Sequence, residues 1–165
     1  MAAITQNTNN SNRMIRFLES LTITNQAGGA NQVAASKYIR VPQHAKSALF
    51  LLYLTSAGGT SPSLQLELSV PDVSTAAKLA APDDANTGAL ADFAHTAITG
   101  TGPYLQQIHI GPGLGAADTT GAAAADASYV IPATLPPVIS YRILVDGTTG
   151  DEDYTAQLVV VFREN

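Results

Sequence analysis

The stretch that decides the fold is Val138-Ile-Ser-Tyr-Arg-Ile-Leu-Val-Asp-Gly-Thr-Thr-Gly-Asp-Glu-Asp-Tyr-Thr-Ala-Gln-Leu-Val-Val-Val-Phe162. Ile139, Tyr141, Ile143 and Val145 alternate with Ser140, Arg142, Leu144 and Asp146, and Tyr154, Ala156, Leu158, Val160 and Phe162 repeat the period. Alternation with a period of two marks a strand with one buried face. The Gly/Asp/Thr turn between the runs predicts a hairpin that completes a β core at the C-terminus.

Upstream, the same reading finds further strands. Arg16 to Thr24 places Phe17, Glu19, Leu21 and Ile23 on one side, and Ser36 to Val41 is a short strand ending at Pro42. Lys46 to Thr55 contains Leu49-Phe-Leu-Leu-Tyr-Leu54, apolar on both faces, which predicts a central strand covered on two sides. Leu64, Leu66, Leu68 and Val70 alternate with polar residues up to Pro71, so 46–55 and 63–70 are expected to pair as a hairpin across 56–62. Ser74 can cap a helical turn running to Leu79, and Pro82 would end it. Ala94 to Thr99 is a weak strand. Tyr104 to Ile110 is a stronger one with Gln106, Ile108 and Ile110 together, and Tyr129 to Ile131 is short. The small-residue stretch 111–128 is long for a loop in a compact domain. About eight strands at turn-rich spacing with almost no helix predict an all-β fold, a single jelly-roll-like β-sandwich.

Residues 1–14 read as a polar N-terminal arm and 15–165 as the sandwich domain. The arm is expected to be flexible until it meets a partner, because it has little to bury. Gln6, Asn7, Asn9, Asn10 and Asn12 are its candidate partner contacts.

Charge narrows the function classes. Only 13% of the 165 residues are charged, roughly half the usual share. The net charge is −5 and the basic residues are scattered, which argues against phosphate-mediated binding of nucleic acid. With no cysteine, disulfides and thiolate metal sites are excluded. Met1 to Asn12 has no basic segment leading into an apolar one, so use without Sec export is expected. The apolar run 45–57 is shorter than the roughly 20 residues of a membrane-spanning helix.

Candidate chemistry is sparse. His44, His95 and His109 have no local partner at metal-ligand spacing, and His109 is expected to be an exposed strand histidine opposite the apolar face. Asp146, Asp151, Glu152 and Asp153 crowd one turn, as in oxygen-rich calcium loops, but the spacing is not that of an EF-hand and a solvated hairpin turn fits better. Glu19 and Glu67 lie inside strand patterns, and nothing brings them together as a catalytic pair. Gly111-Pro-Gly-Leu-Gly and Gly58-Gly-Thr lack the lysine and the helix of a phosphate loop. The tyrosines raise a carbohydrate-binding module as a rival, weakened by the absence of Trp. No enzyme, cofactor or metal is expected.

Ala94-His-Thr-Ala-Ile-Thr-Gly-Thr-Gly-Pro-Tyr-Leu-Gln-Gln-Ile-His-Ile-Gly-Pro-Gly-Leu114, followed by Leu135-Pro-Pro-Val-Ile-Ser-Tyr-Arg-Ile-Leu-Val145, resembles small virion proteins of tailed bacteriophages. Such chains run a Gly-turn, a Gly-Pro-Gly segment, a Gly/Ala loop, a Leu-Pro strand start with a basic residue, and a last apolar strand. The resemblance spans roughly residues 45–163; Arg142 matches the later basic position, while Pro137 stands where a basic residue is common. It implies a capsid decoration (cement) protein that binds the major capsid protein on the outer shell, as a homo-oligomer with a trimer favoured. It further implies a place on the virion surface, assembly in the host cytoplasm, and no nucleic-acid or membrane partner. A tail or neck component is the alternative within the particle, and a host-surface or carbohydrate-binding module the alternative outside it.

Overall fold

A computed structural model describes residues 13–70, 77–78, 93–94, 98–112, 128–131 and 134–164. The strands are β1 (Arg13–Gln26), β2 (Gly29–Arg40), β3 (Ser47–Gly58), β4 (Leu64–Val70), β5 (Ala77–Lys78), β6 (Phe93–Ala94), β7 (Tyr104–Ile110), β8 (Ser128–Ile131), β9 (Val138–Gly147) and β10 (Glu152–Arg163). They form two sheets. The first has the order β1-β10-β3-β7-β8, and the second β2-β9-β4-β5, with β6 also paired to β4. The expected all-β sandwich is the observed architecture. Among the described residues there is no helix long and apolar enough to cross a membrane.

The core lies between the sheets and follows the alternation. Ile139, Tyr141, Ile143 and Val145 of β9 and Tyr154, Ala156, Leu158, Val160 and Phe162 of β10 are all buried, as the period of two requires. Phe50, Leu52 and Leu54 of β3 meet them, with Leu64, Leu66 and Leu68 of β4 on the opposite sheet. Gln106 sits among Ile108 and Ile110 with no exposure. Its Oε1 accepts the Leu66 N–H at 3.3 Å across the sandwich, which compensates for burying a polar side chain.

The pairing differs from the expectation in five places. β9 and β10 are not a hairpin: they lie in different sheets, β9 between β2 and β4 and β10 between β1 and β3. β3 and β4 are likewise in opposite sheets. Both turns therefore fold a strand over the core instead of beside its predecessor, which lets the two apolar faces cover each other. In β1, a bulge between Phe17 and Glu19 changes the phase. Glu19, Leu21 and Ile23 oppose the inward Leu158, Ala156 and Tyr154, whereas Phe17 opposes the outward Val159 and is 45% exposed. β3 is covered on one face only, since Leu49 and Leu51 are half-buried and Tyr53 is exposed. Finally, Ala77–Lys78 pair with Ser69–Val70 as a strand where a helical turn was expected, because the open edge of β4 offers ladder partners that outweigh local propensity.

β1 begins at Arg13, two residues before the expected domain start. The short strand expected at 36–41 is the end of a β2 of 12 residues. The weak strand expected at 94–99 appears as β6 plus an isolated bridge between Ile98 and Leu64.

Candidate interaction surfaces

Gln6, Asn7, Asn9, Asn10 and Asn12 lie outside the described residues, as do His95 and 113–127. The remaining candidates fall into separate places, and each has a partner or a position that explains it.

At one end of the sandwich the acidic turn is a set of internal acceptors. Asp146 accepts the backbone N–H and the hydroxyl of Thr148. Asp151 accepts the Thr60 N–H at 3.2 Å and the Thr60 hydroxyl at 2.8 Å, which joins the β9–β10 turn to the β3–β4 connection. Glu152 folds back on its own turn, accepting from Thr149 and, at 3.0 Å, from the Gly150 N–H. Asp153 accepts the N–H of Asn25, which holds a left-handed φ of 50° at the end of β1, beside the β1–β2 connection. Thr148, Thr149, Asp151 and Asp153 are solvent-exposed, as expected of a solvated turn. The expectation is corrected in two respects: the turn joins strands of different sheets and so is not a hairpin, and Glu152 is buried. Among the described residues no group of three or more His, Cys, Asp or Glu is placed to hold a metal.

These hydrogen bonds favour the ionised carboxylates and hold Asp146, Asp151 and Glu152 below the usual carboxylate range, the threonine hydroxyls being the largest cause. The folded-state pKa is depressed, so the stabilisation is present above the unfolded value near 4 and is lost as pH falls through the folded value. Thermal unfolding followed from pH 6 downwards should show the melting temperature falling below about pH 4, and Asp151→Asn should flatten part of that fall. Added calcium should leave the melting temperature of the native chain unchanged; a rise that Asp151→Asn abolishes would establish a calcium site instead.

Glu19 and Glu67 are not brought together. Glu19 closes one open side of the sandwich, where it accepts the Tyr141 hydroxyl at 2.5 Å and pairs with Lys37 Nζ at 2.8 Å. Burial and then this hydrogen bond push the Tyr141 phenol well above its usual value, so it stays a donor. Glu67 lies on the outer face of the second sheet, opposite Arg142, whose Nε and Nη2 both donate to Glu67 Oε2 at 2.9 and 2.5 Å. Each glutamate is therefore a structural acceptor.

Of the histidines, His44 is exposed in the β2–β3 connection. His109 does face away from the core, as its phase implies, but it is half-buried and not the exposed strand residue expected. Its Nε2 and the Nε of Arg163 are buried without a hydrogen-bond partner. Desolvation, followed by the Arg163 charge, lowers the His109 pKa and favours the neutral ring.

The surface that sequence reading missed is the outer face of the first sheet. Two rows cross it in register: Ile15, Val161, Leu49 and His109, then Phe17, Val159, Leu51 and Gln107. A third row holds Ser20, Gln157, Tyr53 and Leu105. Ile15 is 58%, Phe17 45% and Tyr53 42% exposed. The signal was present in the continuous apolar run of β3, read as a strand covered on both sides.

Comparison with protein-family models, with curated proteins and with solved structures gave no match.

Proposed function

We propose that this chain is a structural protein of a tailed-phage particle, which decorates the capsid and stabilises it by binding the major capsid protein at the outer shell surface. The observation that carries the reading is the strand order. From β1 to β4 each strand enters the opposite sheet from its predecessor, and the last two strands, β9 and β10, sit second in their respective sheets. We read this order as a jelly roll, an architecture that viral capsid proteins and lectins share. The resemblance of 94–114 and 135–145 to phage virion proteins selects the first of those uses.

The low charge suits the role, because broad contacts with a shell then desolvate few ions. On this reading the protein assembles in the host cytoplasm and sits on the virion as a homotrimer at capsid three-fold positions, with the arm Met1–Asn12 reaching a neighbour. The lectin-like alternative is less well supported. Tyr38, 72% exposed, lies on the outer face of the second sheet and Tyr53 on that of the first, so these aromatics do not make one platform for a sugar.

Heating phage shells with and without the bound protein tests the reading. A partner that binds only the intact shell, present at ~100 times its Kd, adds about 2.7 kcal/mol per site, so decorated shells should release their DNA at a higher temperature. Equal heat resistance of decorated and bare shells would overturn the decoration role in favour of a tail or host-surface role.

A further inference from the structure

We propose that the outer face of the β1-β10-β3-β7-β8 sheet is a self-association surface, packed in solution against another copy of this chain. The inference does not depend on the virion reading; it rests on the composition, charge and size of the face itself.

The face is apolar and continuous. Ile15, Val161 and Leu49 lie side by side in one row, and Phe17, Val159 and Leu51 in the next, with Tyr53 adjoining them. Scattered apolar residues on a surface are ordinary, but a contiguous apolar block across neighbouring strands marks a contact site. β3 accordingly carries apolar residues on both faces: among the described residues Ala48, Phe50, Leu52 and Leu54 are buried, while Leu49 and Leu51 are half-buried and Tyr53 is exposed.

Charge identifies the occupant. The chain has 13 Asp and Glu against 8 Lys and Arg, so two copies repel each other over most of their surface. None of those carboxylates falls in the three rows. A like-charged copy can therefore approach this face without opposing acid to acid. By contrast, the outer face of the second sheet carries the Glu67–Arg142 ion pair.

The size of the face sets the strength of the contact. Strands about 4.8 Å apart and rows about 7 Å apart give a face of roughly 20 by 20 Å, so two opposed faces bury roughly 800 Å², the size of a weak, reversible contact. Pairing along the free edge of β1 is the less favoured geometry. The bulge after Phe17 interrupts the edge, and Arg16 Nη1 donates to the Arg40 carbonyl at 3.1 Å, tying that side to β2.

Light scattering on the purified full-length chain tests the proposal. The expected mass is a multiple of 17.1 kDa at micromolar concentration. Phe17→Glu, at an exposed position that tolerates a polar side chain, should return it to the single-chain mass with an unchanged far-UV spectrum and melting curve measured at the monomer concentration. Leu51→Glu should do the same from the central strand. Because the chain has no cysteine, Tyr53→Cys provides one thiol whose labelling should be slow in the oligomer and fast once Phe17→Glu is added. A native chain that stays at 17.1 kDa throughout the micromolar range overturns the proposal, as does an oligomer that survives both Glu variants with the thiol still freely labelled. Neither result involves a shell, so either leaves the capsid-binding reading to its own test.

Discussion

Leu158→Ala should lower the unfolding free energy by about 2–5 kcal/mol in a urea titration. Leu158 is fully buried in β10, between Glu19 of β1 and Leu52 of β3 in the ladder. Two neighbouring strands fix the backbone there, so the sandwich cannot collapse into the space left by the missing methyl groups, and a cavity cost adds to the lost transfer energy. The expected loss is a large share of the roughly 5–15 kcal/mol that holds a domain of ordinary stability together. Ser36→Ala, at an exposed position of β2 in the other sheet, should change stability by less than about 0.5 kcal/mol. A Leu158→Ala cost no larger than that of Ser36→Ala would mean that the inner layer is loosely packed.

The second large effect is expected at Gly59→Ala. Gly59 has φ of +96°, a region that L-residues rarely enter. A Cβ there would sit 2.7 Å from both the Asp151 carbonyl oxygen and the Glu152 Cα, which are backbone atoms and cannot rotate aside. The dihedral alone costs about 1–3 kcal/mol, and the turn at 148–151 must also be displaced. That displacement would disturb the Thr60–Asp151 hydrogen bonds that join the two connections. Gly150→Ala is the matched control: its φ is +76°, but nothing lies within 4 Å of an added Cβ. It should lose only the dihedral share, so the difference between the two melting curves measures the close approach at Gly59. Equal losses would show that the contact is relieved at no cost.

These two sites differ in how far they could be read in advance. The inward position of Leu158 follows from its phase with Tyr154, Ala156, Val160 and Phe162. Gly59 stands in the sequence only as part of a Gly58-Gly-Thr stretch without the features of a phosphate loop, and its constraint arises from a distant turn, Thr60 and Asp151 being 91 residues apart. The same holds for the candidate surfaces. The acidic turn was visible as composition, yet its role as an acceptor for Thr60 and Asn25 depends on which connections share an end of the sandwich.

Alternation in the chain by itself determined the β class and which residues of β9 and β10 point inward, since a period of two fixes the face of every residue once a strand exists. It did not determine which strand lies beside which. β9 and β10 would show the same pattern as partners in one ladder or as opposed faces of two sheets, and only the need to cover both apolar faces at once decided for the second. Tertiary structure likewise decided the phase of β1, where one bulge turned Phe17 outward while Leu21 and Ile23 stayed inside. It also left Leu49, Leu51 and Tyr53 outside the core, because a two-layer sandwich buries only one face of each sheet and β3 is apolar on both.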